Sequence, residues 1–273
     1  HVRAMQRSAR MLRAGQDVRE HNMEAELLHE FREHGAQAPA YGSIVAAGAN
    51  ACVLHYRADR APVHDGELVL IDAGCEYDGY ASDITRTFPA GGRFTGPQRA
   101  LYELVLASQD AAIAATRAGS RFTDPHDATV AVLAQGLLDL GLLDKNQHGS
   151  AQDVIERRAY FRYYMHRTGH WLGMDVHDCG SYVEPGEAGQ VHERKDPLSG
   201  ETIKDRPSRI LRPGMVLTIE PGLYVRAAPD VPEAFHGLGI RIEDDAVVHA
   251  HGCELITRGV PVQPDEIEAL MRE

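Results

Sequence analysis

Cysteine is scarce in this sequence, and the positions of the few that occur exclude two common structural classes. Four cysteines are spread over 273 residues, and no two of them form a Cys-x-x-Cys pair. A zinc ribbon requires closely spaced thiols and a small secreted domain requires a dense disulfide framework, so the sequence fits neither class. This usage is typical of a reducing compartment, and we expect a cytoplasmic protein. The cysteines are Cys52, Cys75, Cys179 and Cys253.

Basic residues are outnumbered, since 28 Lys and Arg face 40 Asp and Glu, for a formal net charge of −12. Nucleic acids and anionic membranes bind basic surfaces, so neither is an expected partner. No run approaches the roughly 18 apolar residues that span a bilayer. Phosphate-binding patterns such as GxxxxGK[ST] and a complete GxGxxG are also missing. The acidic excess has two explanations: a solvated surface, or carboxylates that converge on a cation.

The composition is that of a globular protein, with 43% apolar and 25% charged residues. The length allows one or two domains, but no linker, repeat or low-complexity segment divides it. We therefore expect a single domain over 1–273. Strands and helices are mixed without a regular βαβ rhythm, which favours an α+β fold. The chain begins with His1 rather than Met, so we expect it to be trimmed or part of a longer protein.

The hydrophobic pattern gives a coarse map of the elements. Residues 179–209 are rich in Gly, Pro and charge, which predicts a long loop or insertion. Helices are predicted over 22–34, 97–119, 124–140 and 264–272, and strands over 43–47, 52–56, 67–72, 80–88, 215–220 and 239–248.

Two aspartates stand at neighbouring predicted strands. Asp72 ends an apolar strand, and Asp83 lies in the next strand, beyond the turn signal Asp78-Gly79. If the two are directly opposed, their Cβ atoms lie about 5 Å apart on one face. Carboxylates at that separation must share a proton or a cation. The alternative is an offset register in which both are solvated turn residues.

Three histidines fall within the segment MHRTGHWLGMDVHD, residues 165–178. They are His166, His170 and His177, interspersed with glycines that allow close approach of the backbone. Imidazole can serve as a ligand of first-row metals and as a proton shuttle near neutral pH. A lone histidine is usually a satisfied core or surface residue, but three in this setting indicate a site.

Two glutamates complete the set of candidate ligands. Glu220 ends an apolar strand, where burying a carboxylate costs free energy unless a hydrogen-bond donor or a cation pairs with it. Glu243 shares one face of its predicted strand with Arg241. The alternative for Arg241 is that it forms an ion pair on the surface. Asp244 and Asp245 are expected to lie in a solvated turn. The combined oxygen-rich set with imidazole suits Mn, Co, Fe or Zn. Four carboxylates carry enough charge for two divalent cations and a hydroxide, a known hydrolytic arrangement.

The segments IDAGCEYDGYASDITRTFP, HRTGHWLGMDVHD, MVLTIEPGLY and GIRIEDD resemble the metal-binding blocks of the pita-bread metallopeptidases. The chain is most similar to the Xaa-Pro aminopeptidases (aminopeptidase P), with the prolidases as near kin, from about Gln6 to the C-terminus. The resemblance implies a curved antiparallel sheet covered by helices, in two halves related by a pseudo-two-fold axis. It also implies two divalent cations, with Mn²⁺ expected and Zn²⁺ or Co²⁺ as alternatives.

The resemblance also implies roles for individual residues. A hydroxide between the two metals would attack the first peptide bond of peptides with proline second, and Glu220 would carry the proton to the leaving nitrogen. His166 and His177 would donate to the carbonyl oxygen, and His55 would hold the proline side. The implied metal ligands are Asp72, Asp83, His170, Glu220 and Glu243, and the implied substrate-site residues are His55, His166, His177, Tyr224 and Arg241.

Other functions share these residues. A prolidase would cleave only Xaa-Pro dipeptides with the same ligands, and a non-catalytic peptide-binding module on the same fold is a further alternative. The resemblance implies a homo-oligomer, either dimer or tetramer, and an N-terminal domain that this chain lacks. The segment 179–209 is longer than in compact relatives, as a surface insertion or as a lid, tail or interface element.

Overall fold

The computed structural model describes residues 1–57 and 59–273. Its α-helices pack on a set of short antiparallel strands. The helices are α1 (Val2–Arg13), α2 (Glu20–Glu33), α3 (Gly96–Ala115), α4 (Asp124–Asp139), α5 (Lys145–His148), α6 (Ala151–Glu156) and α7 (Pro264–Leu270). None of these helices is both long enough and apolar enough to cross a lipid bilayer.

The strands form three-stranded and two-stranded sheets, and every strand pair in the described residues is antiparallel. This arrangement confirms the predicted α+β class. The strands are β1 (Ala38–Pro39), β2 (Ile44–Ala47), β3 (Leu68–Asp72), β4 (Cys75–Tyr77), β5 (Tyr80–Ala81), β6 (Thr85–Pro89), β7 (His192–Lys195), β8 (Thr202–Asp205), β9 (Val216–Ile219), β10 (Gly222–Val225), β11 (Leu238–Arg241), β12 (Asp244–Val248) and β13 (Cys253–Leu255).

The main hydrophobic core lies between the α3–α4 helix pair and the sheets. Thr95 begins α3 with a reciprocal capping box, in which its side chain accepts from Gln98 N and the Gln98 side chain accepts from Thr95 N. This exchange satisfies backbone donors that an α-helix leaves free at its N-terminus. Leu101 of α3 and Leu133 of α4 are fully buried in one cluster with Ile240 of β11. The helices thus cover one face of the strands that carry the acidic residues.

Two antiparallel pairs, β3–β6 and β9–β12, each bring a strand end beside a strand start. Asp72, the last residue of β3, lies opposite Thr85, the first residue of β6. Ile219, the last residue of β9, lies opposite Asp244, the first residue of β12. Residues just beyond these positions therefore meet at the same edge, which brings two pairs of carboxylates together by the same geometry.

Several predicted elements differ from the structure. Segment 80–88 is interrupted between β5 and β6, and 239–248 divides into β11 and β12, which belong to different sheets. The expected strand at 52–56 is wrong, because a 3₁₀-helix over Gly48–Cys52 ends there and turns follow. Helix α1 was not predicted. Segment 179–209 contains the hairpin β7–β8 rather than an unstructured loop.

Candidate metal centre

Asp72 and Asp83 converge, although not through the direct opposition considered from the sequence. Asp72 pairs with Thr85 in the sheet, and Asp83 lies in the turn before β6. The Tyr41 hydroxyl lies 2.6 Å from Asp72 Oδ1 and also contacts Asp83 Oδ1. Both carboxylates are almost fully buried, at 9% and 5% exposure. The offset register therefore still gives a buried carboxylate pair rather than two solvated turn residues.

Glu220 and Glu243 meet at the second edge. Glu220 follows β9, and Glu243 lies between β11 and β12, with its backbone N–H bonded to the Thr85 carbonyl at 3.0 Å. The Thr85 hydroxyl donates to Glu243 Oε2 at 2.5 Å. This contact joins β6 to the β11–β12 connection, so Glu243 stands beside Asp83 at the junction of the two edges.

His170 is held against β9 by backbone pairing around a glycine. His170 and Thr218 exchange hydrogen bonds, with the His170 N–H donating to Thr218 Oγ1 at 3.1 Å and the Thr218 N–H donating to the His170 carbonyl at 3.0 Å. Any Cβ on Gly169 would overlap the Thr218 carbonyl oxygen. The His170 Nδ1–H donates to the Trp171 carbonyl, which leaves Nε2 directed at Asp83 and Glu220, 3.4 and 3.7 Å away.

The donor atoms of Asp83, His170 and Glu243 lie within 4.8 Å of one another, as a metal ion requires of its ligands. Asp72 and Glu220 line the same cavity. Carboxylate oxygens with one imidazole nitrogen are suitable ligands for first-row divalent cations. A neutral imidazole whose second nitrogen donates to a carbonyl is the usual orientation of a metal-binding histidine. The residues present therefore fit the predicted group of divalent ions.

The electrostatics of this cluster favour a cation. Burial raises the pKa of Glu220 to about 7 and that of Glu243 well above its usual range, and it also raises the pKa of Asp83. Burial lowers the pKa of His170, but the hydrogen bond to Asp83 and the charge of Glu220 outweigh it and raise the pKa to about 9. After burial, the negative charges of neighbouring carboxylates also raise the pKa values of Glu220, Glu243 and Asp83. Bound divalent cations would relieve this repulsion between the carboxylates.

Within the described residues, Arg241 supplies the one guanidinium that contacts the carboxylate of a predicted ligand. Its Nη2 lies 2.6 Å from Asp72 Oδ2, with both side chains buried, so the surface ion pair considered from the sequence is wrong. Its Nη1 donates to the Tyr224 hydroxyl at 2.8 Å, and Tyr224 in turn contacts His166 Nε2 at 2.9 Å. Because His166 Nδ1 donates to the Arg167 carbonyl, Nε2 accepts from Tyr224. These bonds form one directed chain from Arg241 to His166.

The predicted substrate-site histidines surround the same cavity, which has a volume of about 1080 Å³. His55, His166 and His177 all line it. The ring of His177 packs edge-on against His170 with centroids 4.2 Å apart, and it makes no hydrogen bond to the described residues. Tyr224 is fully buried, and it lies behind His166 and Arg241 rather than in the cavity wall.

In a comparison with known protein families, residues 1–250 of the chain match metallopeptidase family M24. The chain belongs to metallopeptidase family M24. It is 45% identical to the Xaa-Pro aminopeptidase of Haemophilus influenzae, over 92% of this chain and 53% of that protein. It is 44% identical to the Xaa-Pro aminopeptidase of Escherichia coli, over 99% of this chain and 54% of that protein. The chain thus spans about half the length of these curated relatives.

Solved structures agree with this M24 assignment. Pseudomonas aeruginosa aminopeptidase PepP superposes with a TM-score of 0.87 at 48% identity, covering 100% of this chain and 55% of that one. E. coli aminopeptidase P in its low-pH form gives 0.85 at 43% identity, covering 100% and 55%. These neighbours confirm the pita-bread fold and the resemblance to aminopeptidase P.

Sequence reasoning missed several residues of this M24 site. Tyr41 contacts two predicted ligands from a segment with no motif of its own. Asp245, expected in a solvated turn, is buried, and its Oδ2 accepts from the Asp83 N–H at 3.1 Å. Asp244, also expected to be solvated, is fully buried against Arg86, with Asp244 Oδ1 2.8 Å from Arg86 Nη2. Arg86 was the available signal for Asp244, because it lies in a strand flanked by apolar residues and a buried Arg requires a buried acid.

Proposed function

We propose that the chain is the catalytic domain of a dinuclear metal-dependent Xaa-Pro aminopeptidase, over 1–273. The observation that carries this proposal is the meeting of an imidazole with several carboxylates in one cavity, at the ends of different strands. Such a set holds divalent cations, and the curated relatives are named Xaa-Pro aminopeptidases. The residues that would hold the cations are Asp72, Asp83, His170, Glu220 and Glu243.

When bound, two divalent cations would lower the pKa of a water molecule and polarise the scissile carbonyl. Mn²⁺ is the expected metal. Glu220 stands at the cavity wall beside His170, where its carboxylate can accept a proton and pass it to the leaving proline nitrogen. A general base must lie within hydrogen-bond reach of the proton it moves, and this position meets that requirement.

The histidines of the cavity differ in how they can contact the substrate. Both ring nitrogens of His166 are engaged, by the Arg167 carbonyl and the Tyr224 hydroxyl, so donation to substrate requires release of one of these bonds. His177 is free to donate to the carbonyl oxygen as negative charge develops there. His55 lies on the same wall and would contact the proline ring, which has no N–H to recognise.

The cavity volume favours an aminopeptidase over a prolidase. At about 1080 Å³ it lies just above the range of ~300–1,000 Å³ that small-molecule sites occupy. It also extends as far as the hairpin β7–β8, which leaves room for residues after the proline. A homo-oligomer and a cytoplasmic location stay predictions.

Hydrolysis of an Arg-Pro-Pro peptide by the full-length protein tests the proposal. We expect activity to disappear on chelation and to return with Mn²⁺, and a Gly-Pro dipeptide to be cleaved far more slowly. Cleavage of dipeptides alone would indicate a prolidase. Absence of cleavage, together with failure to bind Mn²⁺, would favour the non-catalytic alternative.

A further inference from the structure

His126 lines the cavity that contains the metal-ligand candidates, although no sequence motif pointed to it. It lies in the first turn of α4, and its side chain is half-buried. Its Nδ1 lies 3.0 Å from Thr168 Oγ1. Its Nε2 has no hydrogen-bond partner among the described residues, yet it is not enclosed by them. One ring nitrogen is therefore held by the protein, and the other is open to the cavity.

The Thr168 hydroxyl joins His126 to Tyr164, and this contact defines which group donates. Tyr164 is fully buried, and the one partner of its hydroxyl within the described residues is Thr168 Oγ1, 2.6 Å away. A buried hydroxyl whose proton finds no acceptor loses its hydrogen bonds to water without replacement. Tyr164 therefore donates its proton to Thr168 Oγ1.

The proton of Thr168 then determines the tautomer of His126. Thr168 is itself buried, and the other partner of its hydroxyl in the part of the chain that the structure describes is His126 Nδ1. Thr168 thus donates to Nδ1, and a neutral imidazole that accepts at Nδ1 carries its proton on Nε2. Burial lowers the pKa of His126 to about 4, and the positive charges of Arg167 and Arg158 act in the same direction. The ring is therefore neutral near pH 7 and presents an Nε2–H donor to the cavity.

The backbone of Thr168 places this donor near the proposed proton shuttle. The Thr168 carbonyl accepts from the Glu220 N–H at 2.8 Å, and both residues line the cavity. Glu220 is the residue that would pass a proton to the leaving proline nitrogen. His126 contacts the side chain of Thr168, so it lies on the wall next to the downstream peptide. Proline has no N–H, which leaves its carbonyl as its only backbone group for hydrogen bonding.

We propose that His126 Nε2–H binds a backbone carbonyl oxygen of the peptide downstream of the cleaved bond. This inference rests on the proposed function, because the first bond of the peptide must lie at the ligand cluster. The carbonyl belongs either to the proline or to the residue after it. A neutral donor of this kind recognises the main chain, so the contact requires no particular side chain after the proline.

Thioamide peptides test the two carbonyls separately, because sulfur accepts a hydrogen bond more weakly than oxygen. The parent substrate is Arg-Pro-Ala-Ala-amide. One analogue has sulfur in place of the proline carbonyl oxygen, and the other has sulfur in place of the carbonyl oxygen of the next alanine. At one of these positions we expect the full-length protein with Mn²⁺ to favour oxygen by about three- to tenfold in kcat/KM, as for one neutral hydrogen bond.

The variant H126L keeps a side chain of similar bulk and removes the donor. It should bring the oxygen-to-sulfur ratio at that position towards one, mainly through a higher KM, because the bond is present in the bound substrate and in the transition state alike. H126Q retains a donor and should restore part of the preference. The matched control is Q135A, an exposed residue of α4 outside the cavity lining, which should leave ratios and rates unchanged.

The tautomer can be measured in the unaltered full-length protein by ¹⁵N NMR of labelled histidine, with Zn²⁺ in place of paramagnetic Mn²⁺ and H126Q to assign the resonance. We expect the proton on Nε2. A proton on Nδ1, or oxygen-to-sulfur ratios at both positions that are the same in H126L and the unaltered protein, overturns the inference. Failure of the unaltered protein to cleave any of the three peptides overturns the proposed function and this inference with it.

Discussion

Arg241 Nη2 lies 2.6 Å from Asp72 Oδ2 in a buried ion pair beside three further carboxylates. Breaking such a pair leaves an uncompensated buried charge, at a cost of about 3–5 kcal/mol. We expect R241M to lower the free energy of unfolding by about that amount in chelated protein. The loss should be smaller with Mn²⁺, because bound cations also neutralise Asp72. Urea unfolding under the two conditions measures this, and an equal loss in both would contradict it.

Asp83 is the candidate ligand closest to both His170 and the Tyr41 hydroxyl. We expect D83N to reduce Mn²⁺ binding and to lower kcat/KM by at least about 100-fold, more than the loss typical of a residue that only supports a ligand. The matched control is D78N, an exposed turn residue with positive φ that asparagine tolerates. Metal content and initial rates measure both effects. Unchanged metal content in D83N would reject this residue as a ligand.

His177 lines the cavity and makes no side-chain hydrogen bond to the described residues, so its ring is free to donate one. We expect H177A to lower kcat by about 10²–10³, as for loss of one donor to a developing oxyanion, with metal content unchanged. H64A removes an exposed histidine and serves as the control. Loss of metal together with activity in H177A would indicate a ligand-supporting role instead.

Gly169 has no room for a side chain against Thr218. We expect G169A to shift His170 and to destabilise the protein by about 1–3 kcal/mol, the usual cost of overpacking. Gly186, which has open space around it and no positive φ, provides the control variant G186A. Thermal unfolding compares the two. Equal stability of G169A and G186A would contradict the close approach of these segments.

The chelated protein should lose stability as the pH rises. Burial raises the pKa of Asp245 to about 8 and that of Glu220 to about 7, so the folded state holds protons that the unfolded state releases above about pH 4. Burial lowers the pKa of His170, yet Asp83 and Glu220 raise it to about 9, and its contribution is lost over about pH 6.5–9. All three slopes have the same sign.

Bound Mn²⁺ should reverse this pH dependence, because ligands must release their protons to bind a metal. Melting temperatures measured from pH 5 to pH 9, in chelator and in Mn²⁺, provide the comparison. Parallel curves under the two conditions would contradict the assignment of Glu220 and His170 to the metal.

The sequence was sufficient for the ligand candidates but not for their arrangement. Asp72 and Glu220 could be recognised because a carboxylate that ends an apolar strand needs a partner. The register of Asp72 with Thr85 depends on the interrupted strand at 80–88, which alternation alone does not reveal. Tyr41 lies 31 and 42 residues from its two partners, so no local pattern could indicate it.

The burial of Asp244 and Asp245 also follows from tertiary structure. Both acids begin β12, where pairing with β9 buries them, and Asp244 also forms the buried ion pair with Arg86. The sequence suggests a solvated turn at Asp244 and Asp245, because two adjacent aspartates usually lie in such a turn. The hairpin β7–β8 was hidden in the same way, since its residues are almost all polar and give no hydrophobic alternation.

The dinuclear metal assignment is tested most directly by titrating metal-free protein with Mn²⁺ and measuring bound metal and Arg-Pro-Pro hydrolysis on the same samples. We expect two ions to bind per chain and activity to rise with their binding. Full activity in exhaustively chelated protein, with no bound metal, would contradict it.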